Sequence, residues 1–255
     1  MSLRTPLELG FARYLASYYE TIFADTPGVE EFVRRGLERA IVWAPGRMID
    51  QCELMLEQWR KVAAEDGPGL SSFLPVIIVS IAKDFTPVPP DWGLSVGTPV
   101  DVVVDGDKYG RMYKARMSYN EYRGQAVIFA AEGQTAHSLA MQLHLYANGP
   151  HGRRFKHMHE VAGTTAEFPA VLEQIDLAGG LNPLEQRNIT GLVFDLMIRA
   201  AMPIFQAPKE GEPNDGQPAP AGYPVVREVD VFRRREHAGV AVTVEGVNPI
   251  VRDDV

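Results

Sequence analysis

Cysteine occurs once in the 255 residues, at position 52. A single thiol excludes an internal disulfide framework and any cysteine-rich metal site. Long hydrophobic runs are also missing, since no stretch approaches the ~18 apolar residues that cross a bilayer. Residues 1–25 mix Arg4, Glu8, Arg13 and Glu20 into their apolar pattern, so they do not read as a secretory signal. The expectation is a soluble protein made in the cytosol, with no membrane partner. Cationic residues are in short supply: 25 Lys and Arg stand against 33 Asp and Glu, a formal net charge of −8. Binding a phosphate backbone requires surplus cations, which argues against a general nucleic-acid binder. An acidic channel that nucleic acid passes without adhering is compatible with this charge. Neither a Walker A loop nor a dinucleotide G-x-G-x-x-G is present, and there is no internal repeat.

What is present suffices for a full core, because 45% of the residues are hydrophobic. The best-patterned stretch runs from Tyr109 to Gly149. Between Arg111 and Tyr119, Tyr113, Ala115, Met117 and Tyr119 alternate with Met112, Lys114, Arg116 and Ser118, the period of a half-buried strand. Asn120 to Gly124 carries turn chemistry. Gln125 to Ala131 returns as an apolar run suited to a central strand. From Thr135, a plausible N-cap, the period becomes helical through Leu139, Ala140, Leu143, Tyr146 and Ala147, and Asn148-Gly149-Pro150 stops it. These residues predict a β-hairpin–helix core.

Around that core, helices are expected over 6–23, Val29 to Trp43 and Met48 to Ala64, closed by Gly67-Pro68-Gly69. A core strand is expected within Phe73 to Ala82. A proline-rich loop follows over Asp84 to Gly97, and a short strand over Val100 to Val104 ends at Asp105-Gly106-Asp107. His151 to Gly163 reads as irregular and basic. Strands are expected again over Ala170 to Leu177 and Ile189 to Ala201, with Gly179-Gly180 as a turn. Pro208 to Pro224 is a Pro/Gly linker. Val225 to Phe232 then pairs with Val240 to Glu245 in a last hairpin. A two-stranded hairpin is marginal alone in water, so it needs a surface to dock on. The fold class is α+β, with a mixed or antiparallel sheet. It divides into an N-terminal helical region (1–66), an α+β core (67–208) and a linker with a C-terminal hairpin arm (209–255).

Candidate chemistry is sparse. Gly93-Leu94-Ser95-Val96-Gly97 matches the G-x-S-x-G of a nucleophile elbow, which needs a strand before it and a helix after it. Here Pro89-Pro90-Asp91-Trp92 precedes and a strand-like segment follows, so the context is wrong on both sides. His151, His157, His159 and Glu160 could offer zinc ligands, but their spacing fits no established zinc pattern and a solvated basic loop is the commoner explanation. His137 and His144, two turns apart on one helix, read as surface or interface residues. Asp101, Asp105 and Asp107 lack calcium-loop spacing and suit a turn. Asn188-Ile189-Thr190 is a glycosylation sequon in form only. Arg233-Arg234-Arg235 reads as a charged hairpin tip. No catalytic, cofactor-binding or metal-ligating residue is assigned.

Three segments carry a resemblance. They are Phe73-Leu74-Pro75-Val76-Ile77-Ile78 after a helical start, and Ala130-Ala131-Glu132-Gly133-Gln134-Thr135-Ala136 opening the long helix. The third is Asn188-Ile189-Thr190-Gly191-Leu192-Val193-Phe194-Asp195-Leu196 running into Ala201-Met202-Pro203-Ile204-Phe205. Over about residues 70–208 the chain resembles the neck or tail-completion (tail-terminator-like) proteins of contractile-tailed bacteriophages. The resemblance implies a non-enzymatic virion protein, made in the host cytoplasm. It would form a homo-oligomeric head–tail connector ring, expected to be sixfold, between capsid portal and tail tube. Implied partners are further copies of itself, neighbouring neck, tail-tube or sheath proteins, and DNA passing through without sequence-specific contact. No cofactor is implied. The alternatives are a small α+β hydrolase or metal-dependent enzyme using Ser95 or His151/His157/His159, and an adaptor that binds a cellular protein through the C-terminal hairpin.

Overall fold

A computed structural model describes residues 5–44, 54, 56–57, 74–88, 96–104, 107, 111–149, 152–161, 164–176, 189–209, 226–233 and 238–244. Helix α1 (Pro6–Glu20) begins with a capping box. The Thr5 hydroxyl accepts from the Glu8 N–H at 3.3 Å, and the Thr5 N–H donates to the Glu8 carboxylate at 2.7 Å. Its apolar stripe of Leu7, Phe11, Tyr14, Leu15 and Tyr18 is buried. Helix α2 (Pro27–Arg34) is capped by Thr26 and followed by the single turn α3 (Leu37–Ala40) and strand β1 (Ile41–Trp43).

The expected single helix from Val29 to Trp43 is therefore corrected. Gly36 takes φ +84°, which breaks the helix at a conformation glycine adopts freely. The β-branched Ile41-Val42 pair then joins a sheet instead, lying parallel to Ile77-Ile78. Of the expected third helix, only Leu54, Leu56 and Glu57 lie within the described residues, and they are helical.

The remaining strands are β2 (Val76–Pro87), β3 (Val96–Val103), β4 (Met112–Ala130), β5 (Arg154–Val161), β6 (Thr164–Asp176), β7 (Thr190–Gln206), β8 (Val226–Arg233) and β9 (Ala238–Val244), with α4 (Gly133–Asn148) after β4. A seven-stranded sheet runs β1-β2-β4-β7-β6-β5, with β3 paired to β4 off this path. The β1–β2 pair is parallel, while β2–β4, β5–β6 and β6–β7 are antiparallel, so the sheet is mixed. Helices and a mixed sheet together make this an α+β chain, as the pattern predicts.

The turn expected over Asn120 to Gly124 does not form. Strand β4 runs through it unbroken, with Asn120 opposite Pro87 and Gly124 opposite Ile81. Strand β2 continues to Pro87 instead of yielding to a loop at Asp84. The ladder between β2 and β4 so passes straight through the glycine, and its irregularity falls on β2, between Ile81 and Phe85. The hairpin before the helix is in fact one long strand. His151 to Gly163 is corrected likewise, because Arg154–Val161 forms β5. Strand β3 starts at Val96, β6 at Thr164, and β7 continues to Gln206, each beyond its expected bounds. Helix α4 starts before Thr135 and is N-capped by Glu132. Thr135 is buried in its first turn, while the stop at Gly149 falls where expected. The loop at Pro89–Gly93, the turn at Gly179-Gly180 and most of the Pro208 to Pro224 linker lie outside the described residues.

The chain forms two compact units. The first, Met1–Val100 with Ala115–Ile204, holds α1, α2, α3, α4 and most of the sheet. One face of its sheet, through Ile77, Val79, Ile81, Ala126, Ile128, Ala130, Phe194 and Ile198, forms a core with α1, α2 and α4. The other face, through Val76, Ile78, Val127 and Phe129, packs with Leu56 and Leu74. Central strands buried on both faces explain the unbroken apolar runs of β2 and β4. The Tyr18 hydroxyl donates to the Leu139 carbonyl at 3.0 Å, tying α1 to α4. Gly28 lets α2 approach α4, since a Cβ there would lie 2.4 Å from the Thr135 hydroxyl. The second unit, Asp101–Lys114 with Phe205–Val255, contains the β8–β9 ribbon, a sheet of its own.

Candidate functional site

The alternation of β5 places Phe155, His157, His159 and Val161 on the face toward α1, and Arg154, Lys156, Met158 and Glu160 on the other. Helix α1 crosses this strand at Gly10. A Cβ at position 10 would lie 2.7 Å from the Lys156 carbonyl oxygen and 2.8 Å from the His157 Cβ, so the absent side chain permits the contact. Beneath it, His157 is fully buried. Its Nδ1 stands 2.9 Å from Nε2 of His159, and both rings pack on Phe168. Burial, and secondarily the neighbouring His159, lower the His157 pKa to about 4. The backbone carbonyls of Ala201 and Pro169 pull weakly the other way. Burial lowers the pKa of His159 as well.

Two neutral imidazoles sharing one N–H are the consistent state at pH 7. Their site is a packed core position. Glu160 lies on the opposite face of β5, and His151 lies outside the described residues. Among the described residues no group of three His, Cys, Asp or Glu converges as metal ligands would. The sequence cluster thus resolves into a histidine pair, His157 fully buried and His159 half-buried, and the solvated loop expected for it is replaced by a strand.

Ser95 lies outside the described residues, as does most of its Gly93-to-Gly97 pattern. Strand β3 begins at the next residue, Val96, and puts a strand where a nucleophile elbow needs a helix. Asp105 and Asn188 are also outside, and Asp101 lies on β3. Asp107 is held by Arg111 through two guanidinium hydrogen bonds, at 2.9 and 3.2 Å, and by the Arg111 backbone N–H at 3.0 Å. That pairing sets the Arg111 guanidinium over the Tyr113 ring at 5.3 Å. His144 meets the Asn148 side chain at 3.1 Å, and His137 is exposed on α4. Arg233 ends β8 opposite Ala238, while Arg234 and Arg235 lie outside the described residues.

Sequence reasoning missed two features. The first is a set of cross-strand ion pairs in the sheet. Arg199 on β7 joins Glu121 of β4 at 2.7 Å and Glu173 of β6 at 3.1 Å, and Arg123 meets Asp195 at 3.2 Å. Nothing in the sequence announces them until strand order is known. The second is an apolar surface on α4. Met141 and Leu145 are 55% and 65% exposed, and Phe23, whose backbone is held by Gln142 of the same helix, is 73% exposed. Gln142 fixes Phe23 there, accepting from its N–H at 2.7 Å and donating to its carbonyl at 2.9 Å. Ser138 donates to Asp25 alongside, at 2.6 Å. A signal existed in the sequence, because Gly133–Asn148 contains no Asp, Glu, Lys or Arg at all.

No helix among the described residues is long and apolar enough to cross a membrane. Set against known proteins, the chain matches no protein-family model, and no curated protein matches it significantly.

Proposed function

We propose that this protein is a ring-forming component of the head–tail neck of a contractile-tailed bacteriophage, a connector whose work is shape and contact. The observation that carries the reading is the β8–β9 ribbon, a two-stranded sheet separate from the seven-stranded one. A ribbon of two strands gains too little burial to persist alone and calls for a partner surface. Neighbouring copies in a ring supply one. The resemblance over about residues 70–208 supports the same reading, and so do the exposed Met141 and Leu145 of α4. The net charge of −8 suits a passage through which DNA moves without sticking. In this reading the partners are further copies, in a ring of six, and the adjoining neck, tail-tube or sheath proteins. The protein resides in the virion.

The enzymatic alternative has less behind it. His157 is sealed under α1 and its Nδ1 is occupied by His159, so no substrate reaches it without opening the core. Light scattering and negative-stain microscopy of the purified chain, alone and mixed with portal-side and tail-side neck proteins, test the proposal. Rings of uniform size are expected. A chain that stays monomeric at tens of micromolar and joins no particle overturns it.

A further inference from the structure

Asparagine is followed by glycine once in this sequence, at Asn148-Gly149, where α4 ends. We infer that Asn148 is a site of self-catalysed deamidation, kept latent by a clasp of Arg153, His144 and Tyr146 around it. The inference is independent of the ring reading.

The chemistry needs only the chain and water. The Gly149 main-chain nitrogen attacks Cγ of Asn148 and gives up its proton. The Cγ–Nδ2 bond breaks and ammonia leaves, which closes a cyclic imide. Water then opens the ring at either carbonyl, leaving aspartate or isoaspartate at position 148. A glycine after the asparagine suits the attack, because no Cβ hinders the nitrogen and the backbone turns freely. Asn148 is exposed, so water reaches the site.

The folded corner opposes the attack from both sides. Arg153 donates to Oδ1 of Asn148 at 2.8 Å. A guanidinium has donors only, so this bond fixes which end of the amide is oxygen. Nδ2 therefore points at His144, donating to its carbonyl at 3.0 Å and lying 3.1 Å from its Nδ1, which accepts. Held at both ends, the amide cannot swing its carbon onto the next nitrogen. That nitrogen is engaged as well, since the Gly149 N–H donates to the Tyr146 carbonyl at 3.1 Å and so keeps its proton.

The turn beyond the helix brings Arg153 back to Asn148. The Gly152 N–H donates to the Gly149 carbonyl at 3.1 Å. A Cβ at position 152 would lie 1.7 Å from the Tyr146 carbonyl oxygen, so the absent side chain lets the turn lie directly on the end of α4. Helix ends open more readily than cores, and the reaction proceeds only while this one is open. Closure afterwards is impaired. The new carboxylate lacks the two N–H donors that met His144, and it adds negative charge at the negative end of the helix. The site thus converts transient opening of the α4 terminus into a permanent change.

The test incubates the full-length chain in mildly alkaline buffer at physiological temperature, folded and in urea, and follows position 148 by peptide mass mapping. Folded wild type is expected to convert far more slowly than the unfolded chain. Arg153→Ala removes one hydrogen bond from the clasp and is expected to convert about threefold to tenfold faster than wild type. Circular dichroism checks that the variant is folded. Should it not be, Gly152→Ala, which leaves the guanidinium in place and forces the turn off Tyr146, carries the same expectation. Three results overturn the inference: folded wild type converting as fast as the unfolded chain, no conversion at position 148 in urea, or a folded variant no faster than wild type.

Discussion

Acid should loosen this fold through His157 before any carboxylate of the core is involved. In the unfolded chain a histidine titrates near pH ~6.5. In the folded protein burial lowers His157 to about 4. Between those values the unfolded state binds more protons, so stability is complete above the unfolded pKa and is lost as pH falls toward the folded one. The full difference of ~2.5 pH units, at ~1.36 kcal/mol each, comes to about 3 kcal/mol, of which about 2 kcal/mol is gone by pH 5. The groups facing His157 are the backbone of α1 at Gly10, the Ala201 and Pro169 backbone carbonyls, Phe168 and His159. None of them supplies a negative charge to hold the imidazolium. His159, lowered by burial in the same direction, adds to the loss. Urea unfolding of the wild type and of His157→Leu at pH 7, 6, 5 and 4.5 measures the effect, since the variant keeps an apolar side chain without a titrating group. The wild type is expected to lose about 2 kcal/mol more than the variant between pH 7 and pH 5. Parallel pH dependences in the two proteins, or a His157 imidazole that titrates near 6.5 by NMR in the folded state, would refute the reasoning.

Other substitutions test the packing. Gly10→Ala places a methyl group against the β5 backbone, and overpacking of about 1–3 kcal/mol should outweigh the ~1 kcal/mol that Ala gains in a helix. A Tm equal to or above wild type would show that α1 is free to shift. The two core tyrosines should part company. Tyr18→Phe removes a buried hydrogen bond to Leu139 and is expected to cost about 1 kcal/mol. Tyr14→Phe should be neutral or stabilising, because the buried Tyr14 hydroxyl has no partner among the described residues. Chemical denaturation of the pair decides this, and equal losses would sink it. Arg199→Met should cost under about 1 kcal/mol at physiological salt, since its carboxylate partners are partly exposed. A loss several times larger would mean that the bridge across β4, β6 and β7 acts as one cooperative unit.

Much of the fold was legible because its signals are local. The capped helix at Pro6, the β-branched Val76-to-Ile81 run, the alternation from Leu192 to Ala200 and the terminal ribbon each depend on neighbours in sequence. The misreadings have one physical source. Asn120 to Gly124 looks like a turn because turn residues are chosen for backbone freedom, yet a long neighbouring strand can hold the same backbone extended. Around His151 to Gly163 the period of two was present in Phe155, His157, His159 and Val161. It was masked because its inward residues include two histidines, which count as polar until burial makes them neutral. The candidate contact face was hidden by the opposite error. Leu139, Ala140, Leu143 and Ala147 account for a complete buried stripe on α4, so Met141 and Leu145 raised no question, although their helix lacks any charge. An amphipathic helix needs polar residues on its outward side only if that side meets water. On α4 the outward side sets Met141 and Leu145 among the exposed Gln134, His137 and Asn148, and only its lack of formal charge separates it from an ordinary solvent-facing side.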